Sequence, residues 1–243
     1  MLEEIKIKDN QLKNLSAQIT TRDNQIDGLN NQIKSNLGNI SEMTDQLFLC
    51  SRTGSCPIGL PNKIYKINKP GLAIFEAPCD TDGWMTIQRR KDFSVNFNRS
   101  WVDYTNGFGN LTGDFFLGLE KLHQLTKDKP HEMSIKLVDS RDNTYFAYYD
   151  DFQIGSEQEF YSLKSLGTFI GSSGMHNHLR YLEGMKFSTF DSDNDEHTTY
   201  NCASMMSGGW WYRDCGYCQL NDSVWGTIDG IPFVEMTIKP KSE

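Results

Sequence analysis

Ile5, Leu12, Ile19, Ile26, Ile33, Ile40 and Leu47 place an apolar residue at every seventh position through the first fifth of the chain. A repeat of seven keeps one edge of a helix continuously apolar, and that edge is the a row of a coiled-coil seam. The row three residues on is mixed: Lys8, Leu15, Arg22, Leu29, Asn36, Met43 and Cys50. Its stability is therefore expected to be modest. Asn10-Gln11-Leu12, Asn24-Gln25-Ile26 and Asn31-Gln32-Ile33 recur in phase with the same register. So narrow a stripe suits a partner helix better than a flat core face. Residues 1–50 are expected to form a parallel coiled-coil oligomerisation helix. Isoleucine at a with leucine at d leans toward a dimer, whereas Lys8, Arg22 and Asn36 in the seam keep a trimer open. Cys50 falls on a d position in the last turn, where a parallel homo-oligomer brings identical residues together. It is a candidate interchain disulfide, and pairing within its own chain is the alternative.

Charge narrows the partners. A net charge of −8 argues against a nucleic-acid partner, which draws on clustered Lys and Arg. Gln88-Arg89-Arg90-Lys91 and Lys239-Pro240-Lys241 are too short to change this and read as solvated faces. No run approaches the ~20 apolar residues of a membrane span, so no membrane insertion is expected. Six cysteines and five Asn-x-Ser/Thr sequons, at Asn14, Asn39, Asn98, Asn110 and Asn221, point to a secreted, extracellular protein. The opening Met1-Leu2-Glu3-Glu4-Ile5 lacks the basic and apolar regions of a secretory leader, so export implies an upstream start or another route.

The helical pattern breaks at Cys50-Ser51-Arg52-Thr53-Gly54-Ser55-Cys56-Pro57. Beyond it, short β-rich runs such as Met85-Thr86-Ile87-Gln88 and Phe233 to Ile238 alternate with long Gly/Asp/Asn-rich stretches, and one helical patch spans Phe116 to Leu125. Residues 51–243 therefore read as an α+β, loop-rich globular domain around a twisted antiparallel sheet.

Within this domain, Cys79-Asp80-Thr81-Asp82-Gly83-Trp84-Met85-Thr86-Ile87-Gln88-Arg89-Arg90 resembles the N-terminal signature of fibrinogen C-terminal domains. The resemblance runs on through Phe97, Trp101, Gly107-Phe108-Gly109 and Gly113 to Leu119. It resumes at Phe187-Ser188-Thr189-Phe190-Asp191, Asn201-Cys202-Ala203 and Gly209-Trp210-Trp211-Tyr212, covering Cys56 to Pro240. It implies disulfides Cys56–Cys79 and Cys202–Cys215. Cys218 is then either free or bonded to Cys50.

Asp191-Ser192-Asp193-Asn194-Asp195 sets carboxylates at alternate positions, which is how a loop offers hard oxygen ligands to Ca²⁺. It is no EF-hand, because Glu196 occupies the glycine position and Cys202 the place of the closing glutamate. The family resemblance implies Ca²⁺ here, with side-chain oxygens from Asp193 and Asp195, backbone carbonyls from His197 and Thr199, and Asp191 acting through water.

In lectin-like members of the family a neighbouring pocket accepts acetyl groups, and in fibrinogen itself the corresponding pocket takes a peptide N-terminus. Its wall carries a histidine after the second cysteine, joined by a cis peptide, and an aromatic residue after Asn-Cys-Ala. Here Gly216 follows Cys215, and Met206 stands at the aromatic position. A cis bond without proline costs about 3 kcal/mol, and the sequence does not require one at Cys215–Gly216. Acetyl-sugar binding by a pocket of Met206, Cys215 and Gly216 is expected to be weak or lost. The run from Trp225 to Gly230 is also shorter than in relatives. Trp210-Trp211 belongs to the structural signature and is expected in the core.

No nucleophile elbow and no H-E-x-x-H motif occurs. Cys215-Gly216-Tyr217-Cys218 lacks the second ligand pair of a zinc site, and His176-Asn177-His178 reads as a surface pair. Catalysis is not expected. The sequence reading is a secreted, oligomeric recognition protein that binds a glycan, microbial-surface or similar ligand, as in innate immunity. The alternative is a receptor ligand or matrix protein of angiopoietin-like or tenascin type, and a third reading is an intracellular protein that kept the fold.

Overall fold

A computed structural model describes residues 1–51, 53–216, 218–226, 228 and 231–242, with the side chains of 49–51 excepted. Two compact units emerge, Met1–Cys50 and Ser51–Glu243. The first is a single α-helix, α1 (Leu2–Ser51), about 75 Å long at 1.5 Å per residue. Every residue of its a row is exposed, from 52% at Ile19 to 74% at Leu47.

The second unit is built on strands β1 (Lys63–Ile67), β2 (Phe75–Cys79), β3 (Met85–Arg90), β4 (Phe108–Gly109), β5 (Phe115–Phe116), β6 (His131–Val138), β7 (Thr144–Ile154), β8 (Leu163–Ser165), β9 (Phe169–Gly171), β10 (Cys218–Gln219), β11 (Val224–Trp225) and β12 (Phe233–Pro240). The main sheet runs β1-β2-β3-β12-β6-β7-β8, with β5 and β4 added beside β3 and β9 beside β7. All of its pairings are antiparallel. The last strand lies in the middle: β12 pairs with β3 on one side and β6 on the other. Period-2 patterning explains its fit, since Val234, Met236 and Ile238 are buried while Glu235, Thr237 and Lys239 turn outward.

Three short α-helices pack around the sheet: α2 (Trp101–Asn106), α3 (Leu119–Thr126) and α4 (Cys202–Met205). The helical patch read from the sequence corresponds to α3, which buries Leu119, Leu122 and Leu125. Ser100 starts α2 with a capping box, its hydroxyl accepting from the Asp103 amide. Tyr104 carries the centre of the core: its fully buried hydroxyl donates to the Phe97 carbonyl at 2.7 Å and accepts from the Gly209 amide at 3.0 Å. Trp210 and Trp211 are core residues, 0% and 1% exposed.

Two sequence readings are corrected here. Gln88 and Arg90 do not form a solvated face: they share the side of β3 opposite Met85 and Ile87, and both sides of the strand are covered, leaving the two at 0% and 6% exposure. The Arg90 guanidinium lies 4.0 Å from the Phe97 ring centre and donates to the Val95 carbonyl at 2.9 Å. Burial lowers its pKa, and Asp114 opposes that shift most. The sequon at Asn221 lies in the core. Its side chain, 1% exposed, donates to the Gly209 carbonyl and accepts from Gln88, which leaves no room for a glycan in the folded domain.

Candidate calcium loop and recognition face

Disulfides join Cys56 to Cys79 and Cys202 to Cys215, across Cα separations of 5.7 and 4.9 Å. They close 23 and 13 residues, each stabilising the fold by ~3 kcal/mol through restriction of the unfolded chain. Among the described residues Cys218 is a free, buried thiol. Burial pushes its pKa up. The Cys50 side chain lies outside the described residues.

The acidic loop hangs between two anchors. Upstream, Ser188 bridges to Trp210, and Asn194 donates its side-chain amide to the Phe187 and Ser192 carbonyls. Downstream, Asp195 Oδ1 accepts from the His197 amide at 2.9 Å and Oδ2 from the Cys202 amide at 2.8 Å. The Asp195 carboxylate is thereby tied to the first residue of α4 and to the second disulfide. Asn201 completes the junction: Oδ1 caps the Ser204 amide, while Nδ2 donates to the Thr189 and Phe190 carbonyls.

Asp193 and Asp195 are two residues apart in the same loop, close enough for the charge of one to act on the other. Burial, first, and then the Asp193 charge raise the Asp195 pKa, against the lowering effect of its two backbone donors. A divalent cation relieves that repulsion. Among the described residues the His197 and Thr199 carbonyls accept no hydrogen bond, so both remain available as ligands. No group of three His, Cys, Asp or Glu side chains converges among the described residues. An all-oxygen set of carboxylates and backbone carbonyls is the kind that suits Ca²⁺.

The other sequence candidates play different parts. His197 Nδ1 accepts from the Thr199 and Tyr200 amides, which leaves the proton on Nε2, 3.6 Å from Asp214. Its ring braces the loop. Asp191 Oδ1 accepts from the Trp101 amide at 2.9 Å and the Thr189 hydroxyl at 2.7 Å, so that oxygen joins the loop to the start of α2. Of the His176/His178 pair only His176 is exposed: His178 is half-buried at the start of a 3₁₀ turn, and its ring packs 6.0 Å from Trp225.

Around the second disulfide, the Met206 carbonyl accepts from the Gln219 side chain at 3.0 Å, and the Cys215–Gly216 peptide is trans. Among the described residues, no atom lies within 4 Å of where a Gly216 side chain would begin. Of the shortened run after Trp225, Thr227, Asp229 and Gly230 lie outside the described residues. Sequence reasoning missed one feature of this region: Phe190, Tyr200 and Met205 are 46%, 57% and 58% exposed beside the acidic loop. Aromatic and aliphatic residues in a loop read as core, and only the fold reveals them outside it.

A globe with this sheet, these two disulfides and this loop is a fibrinogen-type globular domain. The chain belongs to the family described as fibrinogen beta and gamma chains, C-terminal globular domain, which matches residues 63–239 and is non-catalytic. Angiopoietin-4 of Bos taurus is 42% identical over 158 residues, covering 65% of this chain and 31% of its own length. The chain thus spans about a third of that relative. Fibrinogen-like protein A of Apostichopus parvimensis is 36% identical over 215 residues, covering 80% of this chain and 74% of its own. The solved fibrinogen-like globe domain of human ANGPTL2 superposes with a TM-score of 0.70 at 33% identity, over 74% of this chain and 93% of that one.

Proposed function

We propose that the protein is an extracellular, non-catalytic recognition protein, in which α1 gathers two or three copies and each globe engages a protein receptor or matrix partner beside a Ca²⁺-ordered loop. The observation that carries this reading is the Asp193–Asp195 loop, tied to α4 through Asp195 and Asn201 and flanked in the chain by exposed Phe190, Tyr200 and Met205. Large apolar side chains left in water fit a protein partner. The two disulfides fit an oxidising compartment. Ca²⁺ held by Asp193, Asp195 and the His197 and Thr199 carbonyls supplies the positive charge that binds the loop into one shape. Asn201 passes that order to α4, which carries Met205. Presenting linked copies raises avidity by ~10²–10⁴ over a single weak site.

A glycan or microbial-surface ligand is the second reading, supported by the open space at Gly216 on the pocket wall. It is weaker because Met206 and Gly216 offer neither a ring nor a polar group to an acetyl group.

The test has two arms. Ca²⁺ at a hundred times its Kd stabilises the globe by ~2.7 kcal/mol at pH 7, and Asp193→Asn with Asp195→Asn removes the effect. Because the Asp195 pKa is raised, its carboxylate charges later than an ordinary one as pH climbs, so the Ca²⁺ effect fades as pH falls into the carboxylate range. In the second arm, Tyr200→Ser with Met205→Ser abolishes binding to a cell or matrix surface while acetylated resin captures neither protein. Capture on acetylated resin, with surface binding unchanged by the pair, selects the glycan reading.

A further inference from the structure

We propose that the exposed seam of α1 is filled by further copies of this chain in parallel and in register, and that the register is set by cations in d layers meeting acids at the adjacent e positions. This rests on the oligomeric reading above and deepens it. Lys8, Arg22 and Asn36 recur at every second d position, while Leu15, Leu29 and Met43 fill the layers between. Asp9 and Asp23 occupy the e positions immediately after the two cations.

Within one helix, neighbours in sequence point to different sides and do not meet. Among the described residues none of Lys8, Asp9, Arg22 and Asp23 forms an ion pair in its own chain. All four are exposed. In a parallel coiled coil each d side chain enters a hole whose rim includes the e residue of the facing helix. A long cationic side chain at d can leave its stem in the seam and carry its charge out to that rim. Lys8 then meets Asp9 of the neighbouring copy, and Arg22 meets its Asp23, reciprocally on both sides.

Other alignments lose some or all of these pairs: a slip of two heptads keeps only half of them, Lys8 of one helix with Asp23 of the other and Arg22 of that helix with Asp9. A slip of one heptad sets Arg22 beside Ser16 or Asn30 of the neighbour, with no carboxylate. A fully overlapped antiparallel pair with a layers facing d layers puts Arg22 against Ile33 and Lys8 against Leu47. The g column is uncharged from Gln11 through Gln18, Gln25 and Gln32, so it adds no competing charge preference. Asn36 adds an amide layer that is satisfied best by its own equivalent.

The test uses the full chain carrying Cys50→Ser, so that no covalent link masks weak association. One variant adds Asp9→Lys and Asp23→Lys, and a second adds Lys8→Asp and Arg22→Asp. Sedimentation equilibrium should show each variant self-associating at least about tenfold more weakly, with an equimolar mixture recovering the original affinity as mixed oligomers. Pyrene at the N-terminus should give excimer emission in the parent protein and in the mixture. Oligomers that keep their affinity in both variants, or that lack excimer emission, overturn the register while leaving the oligomer standing. A parent protein that sediments as a monomer overturns the oligomeric reading and this inference with it. Unchanged melting of the globe in every variant shows that only the helix was altered.

Discussion

Ile26 and Ile135 are the same residue type in regular structure, yet Ile26 in α1 is 54% exposed and Ile135 in β6 is 0% exposed. The contrast holds along both elements: the a row of α1 faces outward throughout, while Met133, Ile135 and Leu137 are completely buried. The globe completes its core within one chain, by bringing β12 back between β3 and β6. The helix has no such return. A stripe one residue wide cannot bury itself, so in the oligomer proposed above its stability is borrowed from another helix and depends on protein concentration. The two regions should therefore respond independently to substitution.

The sharpest way to break that independence is in the core of the globe. Trp211 packs edge-on against Phe187, with ring centres 5.2 Å apart, and donates Nε1–H to the Tyr161 carbonyl at 2.8 Å. Trp211→Ala removes the ring and leaves that carbonyl unpaired, and should cost about 3–5 kcal/mol in denaturant unfolding of the globe. Self-association measured by sedimentation should not change. The converse substitution is Ile26→Ala. It deletes a side chain that the proposed oligomer would bury, at a cost of up to about 2–5 kcal/mol per chain, read as dissociation at higher concentration. Globe melting should stay where it was. A shift of the globe by Ile26→Ala would contradict the separation of the two units.

What could be read from the sequence follows the same division. The helix was legible because its information is local: a period of seven is visible residue by residue. Strands β3 and β12 were legible as short β-rich runs, but their adjacency was not, since nothing within either run names its partner. Arg90 and Asn221 illustrate the loss. Polar residues read singly belong outside, and only the meeting of distant segments supplies the Phe97 ring for one and the Gly209 carbonyl for the other. In the acidic loop the alternating carboxylates were visible, whereas the division of labour was not. Asp191 and Asp195 have the same side chain, and the fold alone assigns one to the start of α2 and the other to the start of α4.

The smallest expected effect separates the units by pH. The globe holds His131 at the start of β6, 4% exposed, with Nδ1 against the Lys129 carbonyl at 2.9 Å. Burial lowers its pKa, the Lys129 carbonyl opposes this, and the charges of Lys69 and Lys129 add to the lowering. His178 shifts the same way, through burial and then the neighbouring His176. A histidine with a depressed folded pKa stays neutral in the globe while the unfolded chain takes up its proton below about 6.5. The globe should therefore lose stability as pH falls below that value, before its hydrogen-bonded carboxylates Asp139 and Asp150, whose pKa values lie below the ordinary aspartate range, begin to protonate. His131→Gln should flatten this step in part, leaving the share due to His178. The described part of α1 contains no histidine, so helix melting followed at 222 nm in a peptide of residues 1–48 should show no step in the same window.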